Sequence, residues 1–249
     1  MDLSIVLPVL NEQEKISSDI TSAVGFLIER GLSGEIIIVD DGSSDNTVKV
    51  AGKVRDELEG PVSIEIIEND KHYGKGHAVR QGILESKGDI VMFVDSGNCV
   101  PLSDADEPIK RIRDGHCEIA HGSRRLRNSH IVRKQSLYRR FTGAAFHFAV
   151  HLIFHFETPI TDSQCGFKIY KGDVARELYS QSKIPGFMFD LEIILLAEQH
   201  NCRIEEFAIE WTCDRDSRLS PSRNCWRVLA ELVSIKRMFS AASPANHQK

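Results

Sequence analysis

The sequence predicts an α/β domain with a mostly parallel sheet and helices on both faces. Three observations carry that prediction. Short runs rich in β-branched residues alternate with helical apolar spacing, β-α-β-α-β-α-β, within the first 95 residues, the pattern of parallel strands joined by crossover helices. The run Ile36-Ile37-Ile38-Val39 has no polar interruption, as a strand buried on both faces requires. The strands also end on polar or acidic residues: Asn11-Glu12, Asp40-Asp41 and Asp95. Right-handed crossovers bring those ends to one edge, where open α/β sheets bind ligands.

The elements follow in order. Leu3–Leu10 is the first strand, and Pro8 makes it give way before Asn11. Ile16, Ile20, Ala23, Val24, Leu27 and Ile28 recur at helical spacing, with Gly31 and Gly34 ending that helix. The second strand begins at Glu35 and stops on Asp40, and a helix spans about Asp45 to Leu58. Ser63–Glu68 is the third strand; Ala78, Val79, Ile83 and Leu84 mark the next helix, and Ile90–Asp95 the fourth strand. Beyond it, Asp104-Ala105-Asp106 reads as an acidic helix start. Thr161–Tyr170 is a polar loop entering a strand, Phe187–His200 a helix, Ile204–Trp211 a late strand, Asp216–Pro221 a charged loop and Trp226–Phe239 an amphipathic helix. The organisation is one domain over residues 1–221, containing a basic and amphipathic segment at 133–157. A helix at 222–240 and a disordered tail at 241–249 follow.

At 249 residues, 41% hydrophobic and 27% charged, the composition is that of a globular domain. A net charge of −5 argues against a general nucleic-acid binder. Met1-Asp2 leads straight into the first strand, so no secretory leader is expected, and no apolar run reaches transmembrane length. The six cysteines are scattered without a C-x-x-C pair. They read as reduced thiols in a cytoplasmic protein and not as a zinc site.

Two segments carry chemistry of their own. Gly74-Lys75-Gly76 is neither a dinucleotide fingerprint nor a Walker loop. It reads either as a loop presenting amides and an ammonium to a phosphate or as a solvated turn. Between Glu118 and Glu157 no acid occurs, while Arg124, Arg125, Arg127, Arg133, Lys134, Arg139 and Arg140 place seven cations there. The apolar Phe141–Phe156 follows, with His147, His151 and His155 in one helical stripe, which reads as a polar face and not a metal site. Two readings stand for the segment: a membrane-interface helix whose cations meet lipid phosphates, or a helix packed on the core behind a solvated basic approach.

The motifs Leu7-Pro8-Val9-Leu10-Asn11-Glu12, Val39-Asp40-Asp41-Gly42-Ser43-Ser44-Asp45, Gly74-Lys75-Gly76, Gly122-Ser123-Arg124, Asp162-Ser163-Gln164-Cys165-Gly166-Phe167-Lys168 and Phe189-Asp190-Leu191-Glu192, with Trp211-Thr212 ahead of Ser217-Arg218-Leu219, resemble those of GT-A glycosyltransferases of family 2. Within that family the chain is similar to the dolichyl- or polyprenyl-phosphate hexosyltransferases, nearest the dolichyl-phosphate β-glucosyltransferases. The resemblance implies an inverting transferase moving glucose from UDP-glucose, or mannose from GDP-mannose, to a polyprenyl phosphate on the cytoplasmic membrane face. It implies that Pro8, Asn11, Glu12, Asp40, Asp41, Lys75 and Asp95 bind the nucleotide sugar. Ser123, Arg124, Arg133 and Arg139 would receive the acceptor phosphate, and Arg124, Asp162 and Arg218 would serve catalysis. A Mg²⁺ or Mn²⁺ ion normally sits on an Asp-x-Asp pair; here the motif reads Asp95-Ser96-Gly97, so one ligand is missing. Two other readings follow. One is a family 2 transferase with a soluble or polysaccharide acceptor, using Asp162, Asp190 or Glu192 as base. The other is a silent nucleotide-sugar-binding protein.

Overall fold

A computed structural model describes residues 1–58, 60–133, 150, 152–154, 156–212 and 221–241. The opening elements are β1 (Leu3–Val9), α1 (Ile16–Glu29), β2 (Gly34–Asp40), α2 (Thr47–Glu57), β3 (Ser63–Glu68), α3 (Lys75–Glu85) and β4 (Ile90–Val94). A turn of 3₁₀ helix at Leu102–Ala105 leads to α4 (Asp106–Arg113), then β5 (Ile119–Ser123) and β6 (His130–Arg133). The rest comprises β7 (Phe167–Lys171), α5 (Gly172–Gln181), α6 (Phe189–Gln199), β8 (Ile204–Ala208), β9 (Glu210–Thr212) and α7 (Pro221–Ala241).

The main sheet has seven strands in the order β3-β2-β1-β4-β7-β5-β8, and β6 pairs with β9 in a small second sheet. All pairings in the main sheet are parallel except those of β7, which runs antiparallel to β4 and β5. The chain leaves β1 toward β2 on one side, and β4 lies on the other, so the strand order reverses beside Asn11 and Asp95. Because β7 is antiparallel, the loop that enters it, carrying Asp162–Gly166, arrives at the edge where β1, β2, β4 and β5 end.

Alternation along the central strands divides the core. Val6, Ile37, Val39 and Phe93 join Ala78, Val79 and Ile83 of α3, with Leu191 of α6 and Leu232 and Ile235 of α7. Ile5, Leu7, Ile36 and Ile38 face the other way, against Ile16, Ile20 and Leu27 of α1 and Ile109 and Ile112 of α4. That is why β2 shows no polar alternation: all seven of its residues are buried. Among the described residues no helix is long and apolar enough to cross a membrane.

Four expectations change. Gly34 does not end the first helix but opens β2; Leu32 N–H instead closes back on the Leu27 carbonyl at 3.0 Å. Lys75 and Gly76 are the first turn of α3 and not a loop. The strand read over Ile204–Trp211 is two strands in different sheets, broken at Ile209. The last helix starts at Pro221, a favoured first helical residue. Of Phe141–Phe156, Val150 and Phe154 are buried in the core on the α3 side, whereas Leu152 is 70% exposed. Residues 134–149, His151 and His155 lie outside the described residues.

Candidate active site

The end of β2 is braced rather than open. One oxygen of Asp40 accepts the Gly42 and Ser43 N–H groups at 3.1 and 2.8 Å. Its other oxygen, Oδ1, is buried with no hydrogen-bond partner. A buried carboxylate oxygen left so is costly, and a ligand donor is the ordinary remedy. Asp41 faces differently: its carboxylate accepts Tyr73 N–H at 2.8 Å and Gly74 N–H at 2.9 Å, and meets His72 Nδ1 at 2.7 Å. Asp41 therefore fixes the loop that starts α3. Asn11 and Glu12 cross-brace β1 to the same corner: Asn11 Oδ1 accepts Ser44 N–H at 2.6 Å, and Glu12 N–H donates to Thr47 Oγ1 at 2.7 Å. Pro8 stays inside β1, in register with Val39.

From the first turn of α3, Lys75 reaches across to β4. Its Nζ lies 2.6 Å from Asp95 Oδ1 and 5.7 Å from the centre of the Phe93 ring. Burial works against the ammonium, but Asp95 and Asp190 outweigh it and hold the pKa above the usual lysine value. Below this pair, Lys168 of β7 and Asp190 of α6 form a second, fully buried ion pair. Gly166 closes the other side of Asp95, and a Cβ there would stand 2.0 Å from Asp95 Oδ2. The loop after β4 then turns inward. Gly97 has φ +93° and Asn98 φ +47°, and both donate their N–H groups to Asp19 of α1 at 2.9–3.0 Å. Burial pushes the Asp19 carboxyl up to about 6, against the opposing pull of those two N–H groups.

This geometry bears on the metal. Asp95 is the one carboxylate of its motif, and it is engaged by Lys75. Gly97 brings no side chain and turns its N–H to Asp19. No group of three His, Cys, Asp or Glu side chains among the described residues is placed to hold an ion. The described residues do not make a two-acid Mg²⁺ or Mn²⁺ site. Asp104, which imitates the missing acid, accepts Glu210 N–H at 2.7 Å, and Asp106 opens α4 and pairs with Arg30. Restoring the acid is also costly. At φ +93° an aspartate is strained, and Gly97→Asp should lower stability by about 1–2 kcal/mol. A thermal melt checks this; an unchanged midpoint would mean the loop follows another path.

At the end of β5, Arg124 makes a two-pronged pair with Asp162: Nε to Oδ2 at 2.6 Å and Nη2 to Oδ1 at 2.7 Å. The guanidinium lies 5.4 Å from the Trp211 ring of β9. Although burial opposes both charges, the pairing raises the arginine pKa and holds the Asp162 carboxyl below the usual carboxylate range. Asp162 is thus a poor proton acceptor. Glu206 of β8 fixes its backbone, accepting Thr161 and Asp162 N–H at 2.9 Å each. Ser123 is fully buried, with its hydroxyl 2.8 Å from Thr161 Oγ1. Asp190 and Glu192 are not available as bases either: the first is paired to Lys168, and the second accepts Lys183 and Ile184 N–H at 2.8 and 2.9 Å.

One sheet edge therefore gathers an unsatisfied acceptor, an ammonium–carboxylate pair and an ionised arginine fork, the parts needed for a phosphorylated, hydrogen-bonding ligand. Over residues 4–178 the sequence matches the profile of "Glycosyl transferase family 2". The chain belongs to glycosyltransferase family 2. As a family 2 chain it has the GT-A fold and is a nucleotide-sugar-dependent glycosyltransferase. It is 32% identical over 243 residues to the dolichyl-phosphate beta-glucosyltransferase of Dictyostelium discoideum, covering 94% of this chain and 73% of that protein. The Homo sapiens enzyme of the same name is 31% identical, with coverages of 95% and 75%. Among solved structures, Mycobacterium tuberculosis glucosyl-3-phosphoglycerate synthase with Mn²⁺, UDP and glucosyl-3-phosphoglycerate shares the fold, at a TM-score of 0.71. That match has 20% identity and covers 94% of this chain and 79% of that one.

Of the residues expected at the site, Pro8, Asn11, Glu12, Asp40, Asp41, Lys75, Asp95, Ser123, Arg124 and Asp162 all lie at or beside the edge. Arg133 falls in β6, and Arg139 and Arg218 lie outside the described residues. Asp19 and Glu206 were missed. Asp19 left a signal: three residues after Ile16 and four before Ala23, it stands on the buried stripe of α1.

Proposed function

We propose that this family 2 transferase moves a hexose, glucose from UDP-glucose in first place, to a polyprenyl phosphate, inverting the anomeric centre to give a β-linked hexosyl phosphate. The observation that carries the reading is the convergence of Asp40 Oδ1, the Lys75–Asp95 pair and the Arg124–Asp162 fork at one edge. The likeness to dolichyl-phosphate beta-glucosyltransferases supports the acceptor class.

In this reading Asp40 Oδ1 accepts the base's imide N–H, while Asp41 holds the loop that delivers Lys75. Asn11, Glu12 and Pro8 shape the wall on which base and ribose rest. The Lys75 ammonium meets the diphosphate and stabilises the charge that grows as the nucleoside diphosphate leaves. Arg124, oriented by Asp162, takes the acceptor phosphate beside the anomeric carbon, with Arg133 and Arg139 following along the basic stretch and Ser123 supporting the turn. Arg218 joins Lys75 on the diphosphate. A phosphate is already an oxyanion at neutral pH, so attack needs alignment rather than a base. The absence of an available base at Asp162, Asp190 and Glu192 favours this acceptor over a sugar hydroxyl. The acid-free run from Arg124 to Arg140 brings the protein to an anionic membrane surface, on its cytoplasmic side.

Asp40→Asn tests the donor half. The asparagine oxygen keeps the Gly42 and Ser43 N–H groups, but its amide cannot accept from the base. UDP affinity should fall about 10- to 100-fold by calorimetry, the scale of a hydrogen bond to a charged group. Unchanged UDP affinity in the folded variant would remove Asp40 from the site.

A further inference from the structure

Asp19 is a carboxylate in an apolar place. It sits in the first turn of α1 between Ile16 and Ile20, two members of the core on that side of the sheet, and is 4% exposed. The helix does not need it there as a cap, because α1 begins at Ile16, three residues earlier. Its partners lie 78 and 79 residues away, in the loop after β4. Gly97 N–H is shared by both oxygens, at 3.0 and 2.9 Å, and Asn98 N–H meets Oδ1 at 3.0 Å. Ser18 adds a fourth bond, accepting the Asn98 side-chain amide at 2.9 Å. Two successive N–H groups converging on one anion form a backbone nest. Here the successive positive φ values of Gly97 and Asn98 create it, and a side chain of the protein fills it.

The tether begins two residues after Asp95, whose N–H is fixed to the Gly166 carbonyl at 2.8 Å and whose carboxylate holds Lys75. The loop is thus fixed on β7 at Asp95 and on α1 at Gly97 and Asn98, which sets the backbone from which the Asp95 side chain reaches Lys75. We infer that Asp19 is a positioning residue for transfer: its carboxylate holds the Gly97–Asn98 turn and so sets the Asp95 carboxylate against the Lys75 ammonium. The proposal rests on the reading of Lys75 as the diphosphate's cation. It also accounts for glycine at 97, since the turn that reaches Asp19 needs a residue at ease at φ +93°.

The test compares Asp19→Ala and Asp19→Asn with the wild type in amide exchange by NMR, the Lys75 Nζ–Asp95 distance in crystal structures, and kcat and KM for the donor. In Asp19→Ala, exchange at Gly97 and Asn98 should quicken about tenfold or more, and kcat should fall by a similar factor while KM moves little. Asp19→Asn keeps an oxygen for the two N–H groups and should restore kcat to within about threefold of wild type. Faster exchange with an unmoved kcat and an unmoved Lys75–Asp95 distance would overturn the proposal, leaving a purely structural tether. Should the wild type transfer no sugar at all, the functional reading falls, and the Lys75–Asp95 distance in a crystal structure of Asp19→Ala still decides the positioning claim.

Discussion

Lys168→Met should destabilise the fold by about 3–5 kcal/mol, the cost of leaving one partner of a buried ion pair uncompensated. Lys168 is fully buried on β7, bonded to Asp190 and to the Ser163 carbonyl at 3.0 Å, with its ammonium 5.4 Å from the Phe93 ring. Methionine fills much of the volume but leaves Asp190 without its bonded cation. Burial already pushes the Asp190 carboxyl up, against the pull of Lys168 and Lys75. Without Lys168 it rises further, so the native state binds a proton that the unfolded chain releases near pH 4. The loss is therefore smallest at acidic pH, grows as pH rises above about 4, and levels off above the folded value. Denaturant melts across that range check the sign, and a deficit independent of pH would mean that Asp190 finds another partner.

Lys75→Ala should lower kcat by about 10²–10³-fold, the scale of removing one fixed donor from developing charge. The fold should survive, because the side chain is at the surface end of α3 and 20% exposed. Asp95 loses its partner but not its solvent, being 41% exposed. In the proposed reading the Lys75 ammonium, joined by Arg218, carries the leaving diphosphate, and the described residues add no two-acid metal site beside it. Wild-type activity should accordingly persist in EDTA. Complete loss in EDTA with recovery on adding Mg²⁺, or a Lys75→Ala variant with wild-type kcat, would overturn this assignment.

Much of this was legible in the sequence because local pattern and tertiary role coincide. The run Ile36–Val39 has one way to bury four branched side chains, and Asp40-Asp41 at its end then has one address. The two carboxylates nevertheless differ in ways that spacing does not encode: one oxygen of Asp40 lacks a partner, whereas Asp41 is spent on Tyr73 and Gly74. The antiparallel direction of β7 was hidden for a similar reason. Phe167–Lys171 is apolar enough for either direction, and its neighbours β4 and β5 decide it. The β6–β9 pair escaped because short strands of three and four residues carry too little periodicity to read. Gly74-Lys75-Gly76 read as a loop because glycine signals a turn. Close packing against the Ile184 and Pro185 carbonyls is what requires glycine there, at the head of a helix.

The most direct test of the central claim is transfer itself. Radiolabelled UDP-glucose is incubated with the purified protein and a polyprenyl phosphate, and label is followed into the organic phase. The account predicts a lipid-extractable, acid-labile glucosyl phosphate that forms only when the polyprenyl phosphate is present and falls about 10²–10³-fold in Lys75→Ala. Transfer of the label to a soluble or polysaccharide hydroxyl, with none to the lipid phosphate, would contradict it.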